Sequence, residues 1–260
     1  MKTNYSNEMI YIKNRDFYIY NTVGVNVTTL DYLIEELFKL PVSPISAAVL
    51  LVGIPAIVSA VEDSELASIY NKATIAAIDG MPLVKKARKK GFKCDRCSGL
   101  DFMEPVFAES IKHEKAHFFY GGKNDRMLKK MRKTLEEKFP GIKIAGMYSP
   151  PFRPLTEIED NDICEIINNL RPDFLWVGIG APKQEIWIHN HRERINDCTM
   201  IGVGAAFGLF DGTYGDTPKW IRQGSLEWLY RLAKEPRRLW KRYILGGIKF
   251  LWYGVKFGIR

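Results

Sequence analysis

The feature that most limits how this sequence can fold is alternation. Short β-rich runs and amphipathic helical stretches succeed one another through most of its length, a pattern satisfied by a mostly parallel sheet covered by helices. Core strands are expected at Ala47–Val52, Ala73–Ile78, Ala116–Tyr120, Ile142–Gly146, Asp173–Val177 and Thr199–Val203, with helical patterns between them at Asp63–Asn71, Asp101–Lys112, Asp125–Phe139, Glu157–Leu170 and Lys183–Ile195. Ahead of these, Met9–Ile12 and Phe17–Tyr20 flank the turn residues Asn14–Asp16 and read as a hairpin. Thr28 or Thr29 then caps a helix that runs to Leu40, where PVSP stops it. The expected class is therefore α/β: a mostly parallel six-stranded sheet with flanking helices and an N-terminal β-hairpin. Right-handed crossovers place the binding loops at the C-terminal ends of the strands.

Beyond Phe207 the pattern changes to aromatic, basic, helix-forming sequence, which divides the chain into a core over 1–207 and a C-terminal appendage over 208–260. The formal charge of +8 sharpens that division. Residues 231–260 hold nine Lys/Arg against one Asp/Glu, so the rest of the chain is neutral overall. A neutral body with no recognised nucleic-acid motif argues against a nucleic-acid partner. The N-terminus MKTNYSNEMIYIKN has no apolar stretch or small-residue cleavage site, so no secretory signal is expected. Cys94, Cys97, Cys164 and Cys198 are then expected to be ordinary reduced thiols, the CxxC of Cys94 and Cys97 having no matching partner pair.

Three expected strand ends carry glycines just before a helix. They are FFYGGKND, with Gly121 and Gly122; WVGIGAPKQE, with Gly180, Pro182 and Lys183; and IGVGAAF, with Gly204. Glycine lets a backbone approach a ligand closely, and the free amides of a following helix attract phosphate oxygens, so a nucleotide fits such loops. Taken alone, each is more simply explained as a tight turn than as a phosphate site. None is a complete GxGxxG or a P-loop, so dinucleotide-dependent oxidoreductase and ATPase readings lack their fingerprints.

Asp79 closes the run ATIAAID just before Gly80 and Pro82, where a strand should give way to the binding edge. A carboxylate there can take the proton of an attacking hydroxyl. It can equally cap the helix that starts near Pro82. Gln184 and Glu185 open another helix, where Glu185 complements the helix dipole or, with Gln184, faces the same cleft and binds sugar or base hydroxyls. The DND at 160–162 resembles a metal-binding DxD, but its acidic neighbours suit a solvated helix face. The four histidines form no triplet with a recognised zinc geometry, and no metal is expected.

Taken in order, IDGMPLV, CSGLDF, FFYGGKND, FPGIKIAG, RPDFLWVGIGAPKQEIWI, IGVGAAF and LEWLYRLAKEPRR resemble the WecG/TagA/CpsF family over residues 20–242. The resemblance implies a Rossmann-like core and an inverting, metal-independent transfer of a sugar, often N-acetylmannosamine, from a UDP-sugar to a sugar on undecaprenyl diphosphate. It further implies a C-terminal appendage that docks on the membrane and completes the site. It makes Asp79 the general base and Gln184–Glu185 the family's Gln-Glu pair. Arg231, Arg237 and Arg238 become the cations that, without a metal, stabilise the departing diphosphate.

The sequence departs from the family at Leu51-Val52-Gly53, where many members have Thr-x-Asn, at Gly208, where an Asp is usual, and at Asp216-Thr217-Pro218, in place of Arg-Ala-Pro. These departures leave the donor open to glucose, a uronic acid or another hexose, with Asp211 or Asp216 as a substitute carboxylate.

Rings and cations alternate in the tail at Trp240, Lys241, Arg242, Lys249, Phe250, Trp252, Tyr253, Lys256 and Phe257, a composition suited to an anionic membrane surface. The greasiest stretch, Tyr243–Ile259, is 17 residues long and broken by lysines and glycines, whereas a span needs about 20 apolar residues. Peripheral docking on the cytoplasmic face of the cell membrane is expected, with a homo-oligomer left open.

Overall fold

The computed structural model describes residues 17–41, 43–210, 212 and 227–257. Six strands form one all-parallel sheet: β3 (Ala47–Val52), β4 (Ile75–Ile78), β5 (Ala116–Gly121), β6 (Lys143–Tyr148), β7 (Phe174–Gly178) and β8 (Thr199–Gly202), in the spatial order β4-β3-β8-β7-β5-β6. The central strands are apolar on both faces, as a sheet covered on both sides requires. The expected strands are all present, and no end shifts by more than two residues.

Crossover handedness sorts the helices. Chain moves toward β4 lay α2 (Ile54–Glu62), α3 (Ser64–Lys72), α7 (Glu157–Leu170) and α8 (Lys183–His191) on one face. The opposite moves lay α5 (Gly99–Lys112) and α6 (Asp125–Lys138) on the other, with α1 (Leu30–Phe38) and α9 (Phe207–Phe210) beside them. Helix α4 (Met81–Lys89) packs Leu83, Val84 and Ala87 into the first of these two cores. Local chemistry sets the ends. Thr29 caps α1, Ser98 caps α5, Asn124 caps α6, and Thr156 with Glu159 forms a capping box on α7.

The hairpin pairs differently from the expectation. Phe17–Ile19 (β1) pairs with Val23–Val25 (β2), and residues 9–16, the expected partner and turn, lie outside the described residues. Tyr20 and Asn21 both take positive φ, 53° and 54°, and the Thr22 amide closes the turn on the Ile19 carbonyl at 3.0 Å, within the three-residue link between the paired Ile19 and Val23. Asn26 then fastens the hairpin to the sheet, its side-chain oxygen accepting from the Ala76 amide at 2.8 Å.

The appendage is helical. Glu227–Lys234 (α10), Pro236–Trp240 (α11) and Gly246–Lys256 (α12) follow one another, with a π-helical turn at Lys241–Leu245 joining the last two. Helix α12 lies on α2 and the hairpin turn. Phe250 and Tyr253 are buried against the Tyr20 ring, whose hydroxyl donates to the Phe250 carbonyl, while Lys249 and the Tyr253 hydroxyl both reach the Glu62 carboxylate, at 2.6 and 2.8 Å. Among the described residues no helix is long and apolar enough to cross a membrane.

Candidate active site

Because all six strands run the same way, their C-terminal ends meet at one edge, and the candidate residues after β3, β4, β5, β7 and β8 line it. Asp79 follows β4. Its amide donates to the Val52 carbonyl at 2.9 Å, which holds it beside the end of β3. A Cβ built on Gly53 would lie 3.0 Å from the Asp79 carbonyl and 3.9 Å from Oδ2, so the bare glycine opens the flank of that carboxylate. The N-cap of α4 is Gly80, at φ +132°, and Asp79 stands one residue ahead of it. Leu51, the neighbouring departure, is buried in the core behind the edge and presents nothing to it.

The segment Arg96–Ser98 runs alongside. The Cys97 amide donates to the Ile78 carbonyl at 2.8 Å, one residue before Asp79. Arg96 clasps the Asp101 carboxylate through Nε and Nη2, at 3.1 and 2.5 Å, and Ser98 Oγ donates to the same oxygen at 2.7 Å. Burial pushes the Cys97 thiol up to about 12, and the charges of Asp79, Asp95 and Asp101 push the same way. Arg96 escaped the sequence reading. Its only signal was an arginine two residues before the serine of a Ser-Gly-x-Asp helix start.

Gln184 and Glu185 occupy the first turn of α8 and are almost wholly buried, at 4% and 1% exposure. The Gln184 amide sits over the end of β8: a Cβ on Gly202 would come within 3.1 Å of its Nε2, and one on Gly204 within 3.6 Å of its Oε1. Gln184 Nε2 donates to Glu185 Oε1 at 3.0 Å. Glu185 faces inward, toward Tyr70 of α3. Burial raises its pKa, while hydrogen bonds from its own backbone, Gln184 and Tyr70 and the charge of Arg242 in the appendage oppose that rise. The appendage therefore adds a cation beside the buried Gln184–Glu185 pair.

The glycines serve distinct ends. A Cβ on Gly121 would stand 2.6 Å from the Gly178 carbonyl, so Gly121 exists for close contact between β5 and β7. Gly122, at φ +92°, turns the chain toward the Asn124 cap. Gly180, at φ +88°, has open space where a side chain would go, which leaves its backbone accessible at the edge. Pro182 and Lys183 are exposed. Gly208 is buried within α9.

Arg231 lies on α10 and Arg237 and Arg238 on α11, with Arg237 exposed. Pro55 and Ser59 of α2 form an open pocket with Lys241, Arg242 and Lys249. A pocket at the opposite edge of the sheet, bordered by Asp197 and by the Lys115–Asp173 ion pair (2.9 Å), is remote from the loops. Asp211 and Asp216-Thr217-Pro218 lie outside the described residues. In the DND, Asp162 is a solvated residue, but Asp160 is engaged by His191 and Arg194. All four cysteines are free thiols.

The appendage presents two faces. Phe250 and Tyr253 turn inward and Lys249 is paired, whereas Trp240, Ile244, Ile248, Leu251, Trp252 and Val255 are exposed and recur at helical spacing, with Lys241, Arg242 and Lys256 among them. Phe257 is also exposed, at 42%.

Residues 19–259 match the Glycosyl transferase WecG/TagA/CpsF family. The chain is 29% identical over 225 residues to an N-acetylglucosaminyldiphosphoundecaprenol N-acetyl-beta-D-mannosaminyltransferase of Bacillus subtilis (strain 168), covering 85% of this chain and 84% of that one. It is 28% identical over 176 residues to a protein of the same name from Staphylococcus aureus (strain MW2), covering 67% of this chain and 65% of that one.

Proposed function

Because the chain belongs to the WecG/TagA/CpsF family of glycosyl transferases, we propose that it moves a hexose or N-acetylhexosamine from a UDP-sugar to a sugar on undecaprenyl diphosphate, with inversion, in the synthesis of a cell-surface polysaccharide or teichoic acid. The observation that carries this reading is the position of Asp79, at the glycine-lined edge with its carboxylate flank opened by Gly53.

In the proposed reaction an acceptor hydroxyl oxygen bonds to the anomeric carbon as its proton passes to Asp79, and the bond from that carbon to the diphosphate breaks. The departing UDP gains negative charge. Cations of the chain, Arg231, Arg237 and Arg238 with Arg242 nearby, stabilise it, aided by the backbone at Gly122, Gly180 and Gly204, so the proposal assigns no step to a metal. Gln184, lying across Gly202 and Gly204, positions the sugar from below, and Glu185 holds Gln184 in place.

Gly53 in place of a larger polar residue removes a side chain from beside the base, which favours a different donor sugar, such as glucose or a uronic acid. A membrane-bound acceptor needs the enzyme at the bilayer surface. The exposed stripe from Trp240 to Val255, with its lysines and arginine, supports peripheral docking on the anionic cytoplasmic face. Incubating the enzyme with a panel of UDP-sugars and lipid-diphosphate acceptors, with products read by mass spectrometry, tests the reading. Absence of any glycosylated lipid across the panel would refute it.

A further inference from the structure

Between α7 and α8, on the body of the molecule, three donors of different chemistry converge. Asp160 and Cys164 are four residues apart on α7 and so share one helix face. His191 is the last residue of α8, seven residues or about 10 Å along the helix from Gln184. One donor atom from each lies within 4.8 Å of the other two, with Cys164 and His191 buried and Asp160 half-buried. Sequence spacing could not group them, because they come from separate crossover helices.

The orientation of His191 is informative. Its Nδ1 lies 2.7 Å from the Trp187 carbonyl oxygen, which can only accept, so the proton is on Nδ1. Stacking on Trp187, centroid to centroid at 4.1 Å, fixes the ring. Nε2 then faces both Asp160 oxygens, at 3.0 and 3.2 Å. An unprotonated Nε2 and a carboxylate are both acceptors, so their contact requires a proton on Nε2 or another positive species beside them. Here Arg194 supplies part of it: Nη1 is 2.5 Å from Asp160 Oδ2 and 3.2 Å from His191 Nε2, and Nη2 donates to Asn161 Oδ1 at 2.9 Å. The Arg194 side chain is 37% exposed, so its guanidinium can move into water. An imidazole held by a backbone carbonyl and turned toward a carboxylate is the usual support for a metal-binding nitrogen, and thiolate, imidazole and carboxylate together suit Zn²⁺ or Co²⁺.

We propose that Asp160, Cys164 and His191 form a site for a thiophilic divalent cation such as Zn²⁺, which exchanges with the guanidinium of Arg194 and ties α7 to α8 away from Asp79. On binding, the metal gains bonds to Cys164 Sγ, His191 Nε2 and an Asp160 oxygen, with water as the fourth ligand. The Cys164 thiol proton, and any proton on Nε2, leaves to solvent, so binding tightens as pH rises. The site has a structural effect, steadying the helix that carries Gln184 in its first turn.

The test is titration of the full chain, stripped with EDTA, with Co²⁺ alone, followed by Zn²⁺ displacement. One equivalent should give a thiolate-to-cobalt absorption band that Zn²⁺ abolishes. Cys164→Ser should lose the band, His191→Gln should weaken binding by about tenfold or more, and Arg194→Ala should bind more tightly because a competing cation is gone. A wild-type protein without the band, or a band that survives Cys164→Ser and so belongs to Cys94, Cys97 or Cys198, overturns the site. Arg194→Ala binding no tighter than wild type overturns the exchange, and that arm stands even if Cys164→Ser fails to fold.

Discussion

Lys249 on the last helix reaches Glu62 on α2 at 2.6 Å, bridging 187 residues of sequence, and holds the appendage against the core from its polar side. The pair is half-exposed and contributes little by itself, because solvent screens it. The rings beside it bear most of the load. Glu62→Ala is expected to leave hydrogen exchange in α12 nearly as in wild type. Phe250→Ala, which empties the contact with Tyr20, should destabilise the docked helix by about 3 kcal/mol and raise exchange over 246–256. Equal effects from the two variants would contradict this division.

The opposite face of α12 should govern membrane binding. Leu251 and Val255 are 69% and 86% exposed, so replacing both with Asp removes no packing. The double variant is expected to keep the wild-type melting temperature and to lose co-sedimentation with vesicles containing anionic lipid. Retained sedimentation would move the docking surface elsewhere.

Asp79→Asn preserves shape and removes the proton acceptor. Turnover should fall by about 10²–10⁴-fold with the fold intact, read by circular dichroism beside a UDP-release assay. A near-wild-type rate would remove Asp79 from the chemistry.

Gly121→Ala tests the tight approach of two strands. The new methyl would meet the Gly178 carbonyl at 2.6 Å, on a backbone at φ +140° that side chains rarely adopt. A loss of about 3 kcal/mol or more is expected in urea unfolding.

His117 sets a pH dependence. Buried beside Phe174, with Trp176 Nε1 donating to Nδ1 at 3.0 Å and Ser110 Oγ at 2.7 Å from Nε2, the ring has its pKa lowered by burial to about 3, from an ordinary 6.5. The unfolded chain takes up this proton below 6.5 and the folded chain does not. Stability from this group is therefore full above pH 6.5 and falls toward pH 3, by up to about 1.4 kcal/mol per pH unit. Urea midpoints at pH 7, 5.5 and 4.5 should show a slope that His117→Gln reduces.

The strands and their order along the chain were legible because fully covered strands read as apolar runs, and Asp79 was legible because it closes one of them before a glycine. Helix α2 was not read. Its segment IPAIVSAVE is packed on the sheet below and by α12 above, so it lacks the polar stripe by which a surface helix declares itself. The inward turn of Glu185 was equally hidden, since a glutamate in a first helical turn reads the same whether it faces water or Tyr70. In the tail, the sequence listed rings without their phase. The contacts with Tyr20 and Glu62 decide that Phe250 and Tyr253 point in while Leu251 and Trp252 point out.

Tyr20 precedes all six strands and α12 follows them, yet each covers the other. A ribosome delivers all six strands before α12, so the sheet and its helices can assemble while the Tyr20 ring and the outer side of α2 are still bare. The helix that covers them carries the greasy stripe on its far side. Covering of the Tyr20 ring and presentation of the exposed apolar stripe thus fall at the same step, after the six strands, which spares the folding sheet an exposed greasy helix face.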